Sequence, residues 1–326
     1  MQITKNFPNF LENNSAITHN QRFLFPYIIG FFSSFLNIDY FIVYRISVII
    51  ILLFLLFIFS KNLNFIKFND SSKLVAFGLI IFNPYLIRYY LSLPTLINDL
   101  TFIISSQLIL YGFFSNQKKF CYFGLIISLF SRQTGIVFLI TLIFNKFIFK
   151  EKSFFSKKEL FLSFILFLLI YFVNQFHSNI ASGNQSYSTH SGNIFGMIFY
   201  LKDNINIKEL LFFILFPILS WGPVIFWSGI RNFKKKLLYN EINLFIILST
   251  LLIFAQPLLA GPISAGKNII RLTNLAYPMI LIFILNNSSY KYKEFKLPFL
   301  ILVLVIFLMW SSHPTYSVIS FFNKFF

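Results

Sequence analysis

The sequence predicts an all-α polytopic integral membrane protein, and its composition and its long apolar runs support that prediction. Hydrophobic residues make up 57% of the 326 residues and charged residues only 11%, and mean hydropathy is +0.75. A soluble domain cannot bury so much apolar surface. Runs of about 17 to 25 apolar residues, which cross a bilayer as helices, recur from residue 40 almost to the end. Helices satisfy their backbone groups internally, so they are favoured over barrel strands.

The apolar runs place the predicted spans in chain order. We predict spans at 40–60, 74–91, 95–113, 158–175, 208–230, 241–259, 270–287 and 296–311. A polar-tipped run at 119–149 adds two short helices, for a total of about ten transmembrane or short membrane helices. Since no polar domain interrupts these runs, residues 1–326 are predicted to form a single transmembrane domain.

Residues 1–38 are predicted to be an outer polar segment followed by an interfacial helix. The start, "MQITKNFPNFLENN", has no apolar core of the signal-peptide kind. The apolar run that follows is short and interrupted by Pro26 and Gly30, which favours a helix lying on the outer leaflet. Glu12 is the acidic residue before it, either a solvated loop carboxylate or a catalytic base.

Basic residues cluster between the apolar runs and predict the orientation of the helices. The clusters are Lys61/Lys67/Lys73, Lys118/Lys119, Lys146/Lys150/Lys152/Lys157/Lys158, Arg231/Lys234/Lys235/Lys236 and Lys291/Lys293/Lys296. The positive-inside rule makes these connections cytoplasmic, so the net charge of +17 indicates orientation and not nucleic-acid binding. We expect a multi-pass protein of a bacterial inner (plasma) membrane. The single cysteine, Cys121, excludes an internal disulfide.

The run 119–149 carries "SRQTG" at its centre and lysine clusters at both ends. If both clusters are cytoplasmic, the run crosses the membrane an even number of times. We therefore predict a short helical hairpin with Arg132 at its outward tip, where a break in the backbone is tolerated if it is buried in protein. The alternative is one long tilted helix whose arginine snorkels to the surface.

Ionisable residues are expensive in a membrane, and here they concentrate on the predicted outer side. "IRYYLSLPTLINDL" carries Arg88 and, at the start of the next span, Asp99. Asp99 fits two interpretations: a carboxylate in the first turn of a helix, favoured by the helix dipole, or a group that binds a sugar hydroxyl or a divalent cation in a polar cavity.

The late outer loop "AGPISAGKNIIRLTNLAYP" places Lys267 and Arg271 four residues apart. Two cations on one helix face repel each other unless an anion or solvent lies between them. A lipid-linked phosphate suits this pair, and Arg88 and Arg132 could join it. Anchoring to phospholipid headgroups is the alternative.

The loop 176–207 is rich in Ser, Asn and Gly and is predicted to be an outer loop, either a lid over the site or a linker. His177 and His190 within it are a weak metal signal, and no metal site is predicted.

Four short elements resemble the GT-C superfamily of membrane glycosyltransferases, which take sugars from polyprenyl-phosphate donors. They are the polar segment before "QRFLFPYIIG", "LPTLINDLTFIISSQLILYG", "LFSRQTGIVFLITLIF" and "GKNIIRLTNLAYP". The Arg-Gln-Thr element is also similar to one in the lipid-linked-oligosaccharide glucosyltransferases of the endoplasmic reticulum. In this superfamily an acid in the first outer loop, which follows a first membrane helix, is the base. This chain begins without that helix and without paired acids.

The resemblance implies a GT-C-like bundle that transfers a hexosyl or pentosyl group on the outer (periplasmic or luminal) face. Glu12 matches the catalytic base, with Asp99 next in line, and Arg132 and Arg271 would hold the donor phosphate. Gln133, Arg88 and Lys267 are predicted as further substrate-binding residues. The expected partners are a polyprenyl-phosphate-linked sugar and membrane lipids. The alternatives are a transporter or flippase of lipid-linked sugars, an O-antigen polymerase or ligase, and an inactive scaffold.

Overall fold

The computed structural model describes residues 22–66, 70–83, 85–182, 196–203, 207–222, 224, 232–233, 240–265 and 268–289. Its first helices are α1 (Leu24–Leu36), α2 (Tyr40–Phe65), α3 (Asp70–Ile81), α4 (Ile87–Ser92), α5 (Ile97–Phe114), α6 (Lys118–Ser131), α7 (Ile136–Phe149) and α8 (Lys157–Ser182). The later helices are α9 (Gly196–Asp203), α10 (Ile207–Ser220), α11 (Glu241–Ala265), α12 (Ile269–Thr273) and α13 (Tyr277–Asn287). Short 3₁₀ turns at 94–96, 133–135, 150–152 and 274–276 join some of them.

Within the described residues, six helical segments are long and apolar enough to cross a membrane. They are Tyr40–Phe65, Pro94–Phe114, Gln133–Lys152, Lys157–His177, Glu241–Gly261 and Ile269–Asn287. The chain is therefore an all-helical, multi-pass membrane protein. A two-residue pair, β1 (Asn232–Phe233) with β2 (Ser288–Ser289), is antiparallel. The predicted span 296–311 lies outside the described residues, as do residues 223 and 225–230 at the end of the span 208–230.

α5 is the central helix of the bundle, because almost every side chain along it is buried. α2 and α6 pack on its two sides, and Gly124 of α6 allows a close approach: a Cβ there would lie 2.7 Å from the Ser105 carbonyl oxygen. Buried polar side chains tie these helices together. Asn62 of α2 donates to the backbone oxygen of Gln107 at 2.9 Å, which satisfies the buried amide donor of Asn62.

Two ends of the bundle can be defined from contacts between helices. At one end, the Asp99 end, Thr101 of α5 and Ser131 of α6 share a hydrogen bond of 2.8 Å. At the other, the Lys118 end, the Phe155 ring contacts the rings of Phe113 and Tyr122. α6 therefore runs from the Lys118 end to the Asp99 end, and the chain after α7 has returned to the Lys118 end.

The segment 119–149 consequently forms a helical hairpin in the structure, not one long helix. α6 ends where Arg132 adopts an extended backbone, φ −153° and ψ 145°. Gly135 begins the returning arm so close to α6 that a Cβ would lie 2.5 Å from the Ser128 carbonyl oxygen. The glycine is needed here because any side chain would push the two arms apart.

Three predicted elements can be compared with the structure in more detail. The predicted span 74–91 is two helices, because the Asn83 side chain accepts from the Tyr85 amide at 2.8 Å and turns the chain after α3. α1 is an uninterrupted 13-residue helix: Pro26 lies in its first turn, where no intrahelical donor is lost, and Gly30 is tolerated within it. The predicted loop 176–207 is also wrong at both of its described edges, since α8 continues to Ser182 and α9 occupies Gly196–Asp203.

Candidate functional site: a buried arginine cluster

The candidate site is centred on Asp99, in the first turn of α5. The Asp99 side chain is 2% exposed, and its Oδ1 accepts a hydrogen bond from Nη1 of Arg132, at the tip of the hairpin. Its Oδ2 lies 3.4 Å from Nη1 of Arg271, in the last turn of α12. The carboxylate thus joins residues that are far apart in sequence but meet at one end of the bundle.

Arg22 is the third cation of the cluster. Its backbone oxygen accepts from Nδ2 of Asn98 at 3.1 Å, which holds the start of α1 against the start of α5. The next residue, Phe23, stacks on His177 of α8 with ring centroids 4.1 Å apart. Burial of the guanidinium, followed by repulsion from Arg132, lowers the pKa of Arg22 to about 9.

The cluster carries more positive than negative charge. Within the part of the chain that the structure describes, three guanidiniums, of Arg22, Arg132 and Arg271, act on one carboxylate, that of Asp99, an excess of two positive charges. Among the described residues, the buried Nε atoms of Arg22 and Arg132 have no hydrogen-bond partner. Unbalanced buried charge costs several kcal/mol per ion, so the cluster is suited to receive an anion.

Tyr90 of α4 completes the wall of this cluster. Its ring is 1% exposed, and its hydroxyl has no hydrogen-bond partner among the described residues. Burial, followed by the negative charge of Asp99, raises the pKa of Tyr90 well above its ordinary value. Tyr90 therefore stays neutral and can donate one hydrogen bond to an anion held by the arginines.

The predicted site residues separate into three groups in the structure. Asp99, Arg132 and Arg271 come together, whereas Glu12 and Lys267 lie outside the described residues. Arg88 is half-buried on α4, where burial lowers its pKa and the neighbouring Tyr85 opposes that shift. Gln133 is exposed and faces away from Asp99, toward α8.

Two alternatives for Asp99 can be compared with its contacts. Its carboxylate meets guanidiniums, so its main interactions are not those of a helix cap that accepts from backbone amides. The described residues contain no group of three His, Cys, Asp or Glu side chains that could hold a metal. Its partners are therefore those of an ion-pair network.

Sequence reasoning omitted Arg22 from the site. The only local signal was a cation directly before an apolar run, which is equally typical of a residue at a membrane boundary. Arg22 belongs to the cluster because Asn98, 76 residues later in the sequence, donates a hydrogen bond to its backbone oxygen. Tyr90 could not be predicted as a site residue either, because nothing in "IRYYLS" distinguishes the tyrosine that is buried beside Asp99.

The fold and this cluster define the class of the protein: an all-helical, multi-pass membrane protein with a cation-rich polar site buried at one end of the bundle. Comparison with protein-family models, with curated proteins and with solved structures found no match to this chain. The function must therefore be argued from the chemistry of the site.

Proposed function

We propose that this protein is a membrane glycosyltransferase that moves a hexosyl or pentosyl group from a polyprenyl-phosphate donor to an acceptor. The observation that carries the proposal is the excess of two positive charges that, among the residues the structure describes, Arg22, Arg132 and Arg271 form around Asp99. Guanidiniums bind phosphate oxygens through charge-assisted hydrogen bonds. Unpartnered Nε donors on Arg22 and Arg132 supply such bonds.

The proposed reaction uses these cations to stabilise the leaving group. The acceptor hydroxyl gives its proton to a carboxylate, and its oxygen forms a bond to the anomeric carbon of the sugar. The bond from that carbon to the donor phosphate breaks, and its electron pair goes to the phosphate oxygen. Because negative charge grows on the phosphate in this step, preorganised guanidiniums lower the barrier.

Within this proposal Glu12 is the catalytic base and Asp99 positions the cations. Both oxygens of Asp99 are held by arginines, so one ion pair would have to open before Asp99 could accept a proton. Before the donor binds, Asp99 supplies the negative charge that keeps Arg132 and Arg271 in place. The role of Glu12 rests on the superfamily resemblance alone.

The position of the cluster supports a reaction on the outer face. The buried charged side chains of the described residues, Asp99 and Arg132, both lie at the Asp99 end. Lys118 and Lys157, from the lysine clusters assigned to the cytoplasm, begin α6 and α8 at the opposite end. A lipid-linked donor would therefore present its phosphate in the outer leaflet.

A flippase would need polar groups available along the rest of the bundle. Two pairs of buried polar side chains below the cluster bond to each other instead. Asn243 donates to Asn287 at 2.6 Å, and Ser249 donates to Thr141 at 3.2 Å. Such satisfied pairs fasten helices together and do not line a path for a charged headgroup.

The test is sugar transfer in proteoliposomes that contain the purified full chain. Polyprenyl-phosphate-linked glucose, mannose and arabinose serve as donors, with and without a total membrane extract as the source of acceptor. Mass spectrometry measures the polyprenyl phosphate released. We expect release by the wild type and a loss of about 100-fold or more in Arg132→Gln and Arg271→Gln, as when one oxyanion donor is removed.

Arg45→Gln is the matched control, because Arg45 is an exposed arginine on α2. It removes the same charge from an exposed position and should leave release unchanged. Failure of the wild type to cleave any of the three donors, or equal loss in Arg45→Gln and Arg132→Gln, would contradict the proposal.

A further inference from the structure

A cavity lies beside the hairpin break, and none of the residues of the arginine cluster lines it. Its volume is about 320 Å³, and it lies between the tip of the hairpin and α8. Three carboxamides, of Gln133, Asn174 and Gln175, line it together with the rings of Phe167 and Tyr171. The guanidinium of Arg132 thus pairs with Asp99, whereas the carboxamide of the next residue, Gln133, lines this cavity.

Asn174 is the polar group that points to a ligand. The residue is 7% exposed, and its Nδ2 donates to the backbone oxygen of Leu129 at 3.5 Å, near the end of α6. Its Oδ1 is buried and has no hydrogen-bond partner within the described part of the chain. Leaving such an acceptor unsatisfied costs free energy, so the cavity favours a guest that donates a hydrogen bond there.

The lining of the cavity differs from that of the arginine cluster. Its polar groups are amides and the phenol of Tyr171, which can donate and accept, and its apolar area comes largely from aromatic and aliphatic side chains. A sugar ring has both requirements, hydroxyl groups that donate and accept and a CH face that packs on an aromatic ring. The volume lies at the small end of ligand pockets, which range over about 300–1,000 Å³.

We infer that this cavity is a binding site for one sugar ring, with Gln133 and Asn174 as its principal hydrogen-bonding residues. The inference rests on the proposed function and deepens it, because it separates a sugar-binding side of the hairpin tip from a phosphate-binding side. The ring could belong to the donor or to the end of the acceptor, which share this chemistry.

The test measures binding without requiring transfer. The full chain is placed in phosphatidylcholine nanodiscs, and methyl glucoside, methyl mannoside and methyl arabinoside are titrated while saturation-transfer NMR reports binding. We expect at least one glycoside to bind the wild type. Gln133→Leu and Asn174→Leu should each weaken it about fivefold or more, the effect of one neutral hydrogen bond. Affinity for inorganic phosphate should stay unchanged.

The matched control is Gln117→Leu, since Gln117 is exposed at the Lys118 end. It should bind the glycoside as the wild type does. Thermal unfolding checks that Asn174→Leu is folded; if it is not, Gln133→Leu alone decides, because the exposed Gln133 contributes little to packing.

Two results would overturn the inference. The first is that no glycoside binds the wild type, or that one binds it and Gln133→Leu equally well. The second is that farnesol, a prenyl-chain probe, displaces the glycoside and keeps or gains affinity in Asn174→Leu, which would make the cavity a lipid-chain site.

The source of the sugar follows from the transfer assay. A raised KM for the donor in Gln133→Leu assigns the ring to the donor, and a raised KM for the acceptor assigns it to the acceptor. Glycoside binding in a protein that cleaves no donor would keep the sugar site and contradict the proposed transferase. Donor cleavage without glycoside binding would support the proposed transferase and contradict the sugar site.

Discussion

The two ends of the bundle both hold ion pairs, but the pairs differ in exposure and in charge balance. At the Lys118 end, Nζ of Lys118 lies 2.8 Å from Glu159, and the side chains are 39% and 27% exposed. At the Asp99 end, the side chains of Arg132 and Asp99 are 7% and 2% exposed, and two further arginines act on the same carboxylate. The Lys118–Glu159 pair has equal positive and negative charge and is partly exposed to solvent. The Arg132–Asp99 pair is buried and belongs to a cluster with more positive than negative charge among the described residues.

The hydrogen bonds around each carboxylate sharpen this contrast. Glu159 accepts from the Ser156 amide at 2.7 Å while its own amide donates to Ser156 Oγ at 3.3 Å, a reciprocal cap on the start of α8. Glu241 similarly accepts from the Phe154 amide at 2.8 Å. These acids hold the ends of helices, whereas Asp99 holds side-chain cations. The acids at the two ends are thus distinguished by their partners and not by their sequence positions.

The largest expected effect is that of Asp99→Asn, which removes the only negative charge acting on three guanidiniums within the described residues. We expect a loss of about 3–5 kcal/mol in stability, as when one partner of a buried pair is deleted. Added inorganic phosphate should restore part of it by replacing the charge. Thermal unfolding in nanodiscs, with and without phosphate, measures both effects. Unchanged stability would show that Asp99 does not balance the cluster.

The next effect concerns the close packing of the hairpin. Gly135→Ala would place a Cβ 2.5 Å from the Ser128 carbonyl oxygen, so the arms must separate and Arg132 must shift. We expect a loss of about 1–3 kcal/mol in stability together with weaker phosphate binding. Gly222→Ala is the control, because no atom lies within 4 Å of the added Cβ. Equal unfolding temperatures for the two variants would refute the packing argument.

A smaller effect is expected from pH. Arg22 has its pKa lowered to about 9, so it is cationic below that pH and becomes neutral as the pH rises through it. Affinity for inorganic phosphate should therefore be full at pH 7 and fall as the pH passes 9, by about tenfold, the contribution of one charge-assisted hydrogen bond. Calorimetric titration from pH 7 to 10 measures this change.

Arg22→Met is the comparison that isolates this titration. The variant should bind phosphate more weakly at pH 7 and lose the part of the pH dependence that belongs to Arg22. If wild type and variant show the same pH profile, the charge of Arg22 does not contribute to the site.

The smallest effect is expected at the Lys118 end. Lys118→Met removes a half-exposed, balanced pair with Glu159 and should cost only about 0.2–1 kcal/mol, less in high salt. Donor cleavage should not change. A loss of activity as large as that of Arg132→Gln would show that the two ends do not differ in their importance for donor cleavage.

Much of the fold could be predicted from the sequence because lipid imposes simple rules on it. Long apolar runs such as 40–60 and 241–259 correspond to helices, and lysines on both sides of 119–149 predicted a hairpin before any contact was known. Residues 74–91 were harder, since the break after α3 depends on one amide side chain, that of Asn83. Hydropathy averages over a window and does not register a single polar turn.

The site was only partly predictable, for a related reason. Asp99, Arg132 and Arg271 stood out because charge near a membrane is rare and expensive. Arg22 lies at an unremarkable boundary position, and its role depends on α1 packing against α5. Asn174 is one amide within an apolar helix, and its unpartnered oxygen exists only because α8 passes the broken end of α6.

The sequence by itself determined the class of the molecule, most of its described membrane helices and the few charged residues that lie near those helices at a cost in free energy. These follow from the free energy of transferring groups between water and lipid, which each short segment carries on its own. The tertiary structure decided that three arginines share one carboxylate and that the hairpin tip separates a cation from an amide-lined cavity. Both depend on distances between residues remote in the chain, because electrostatic interactions and packing act through space.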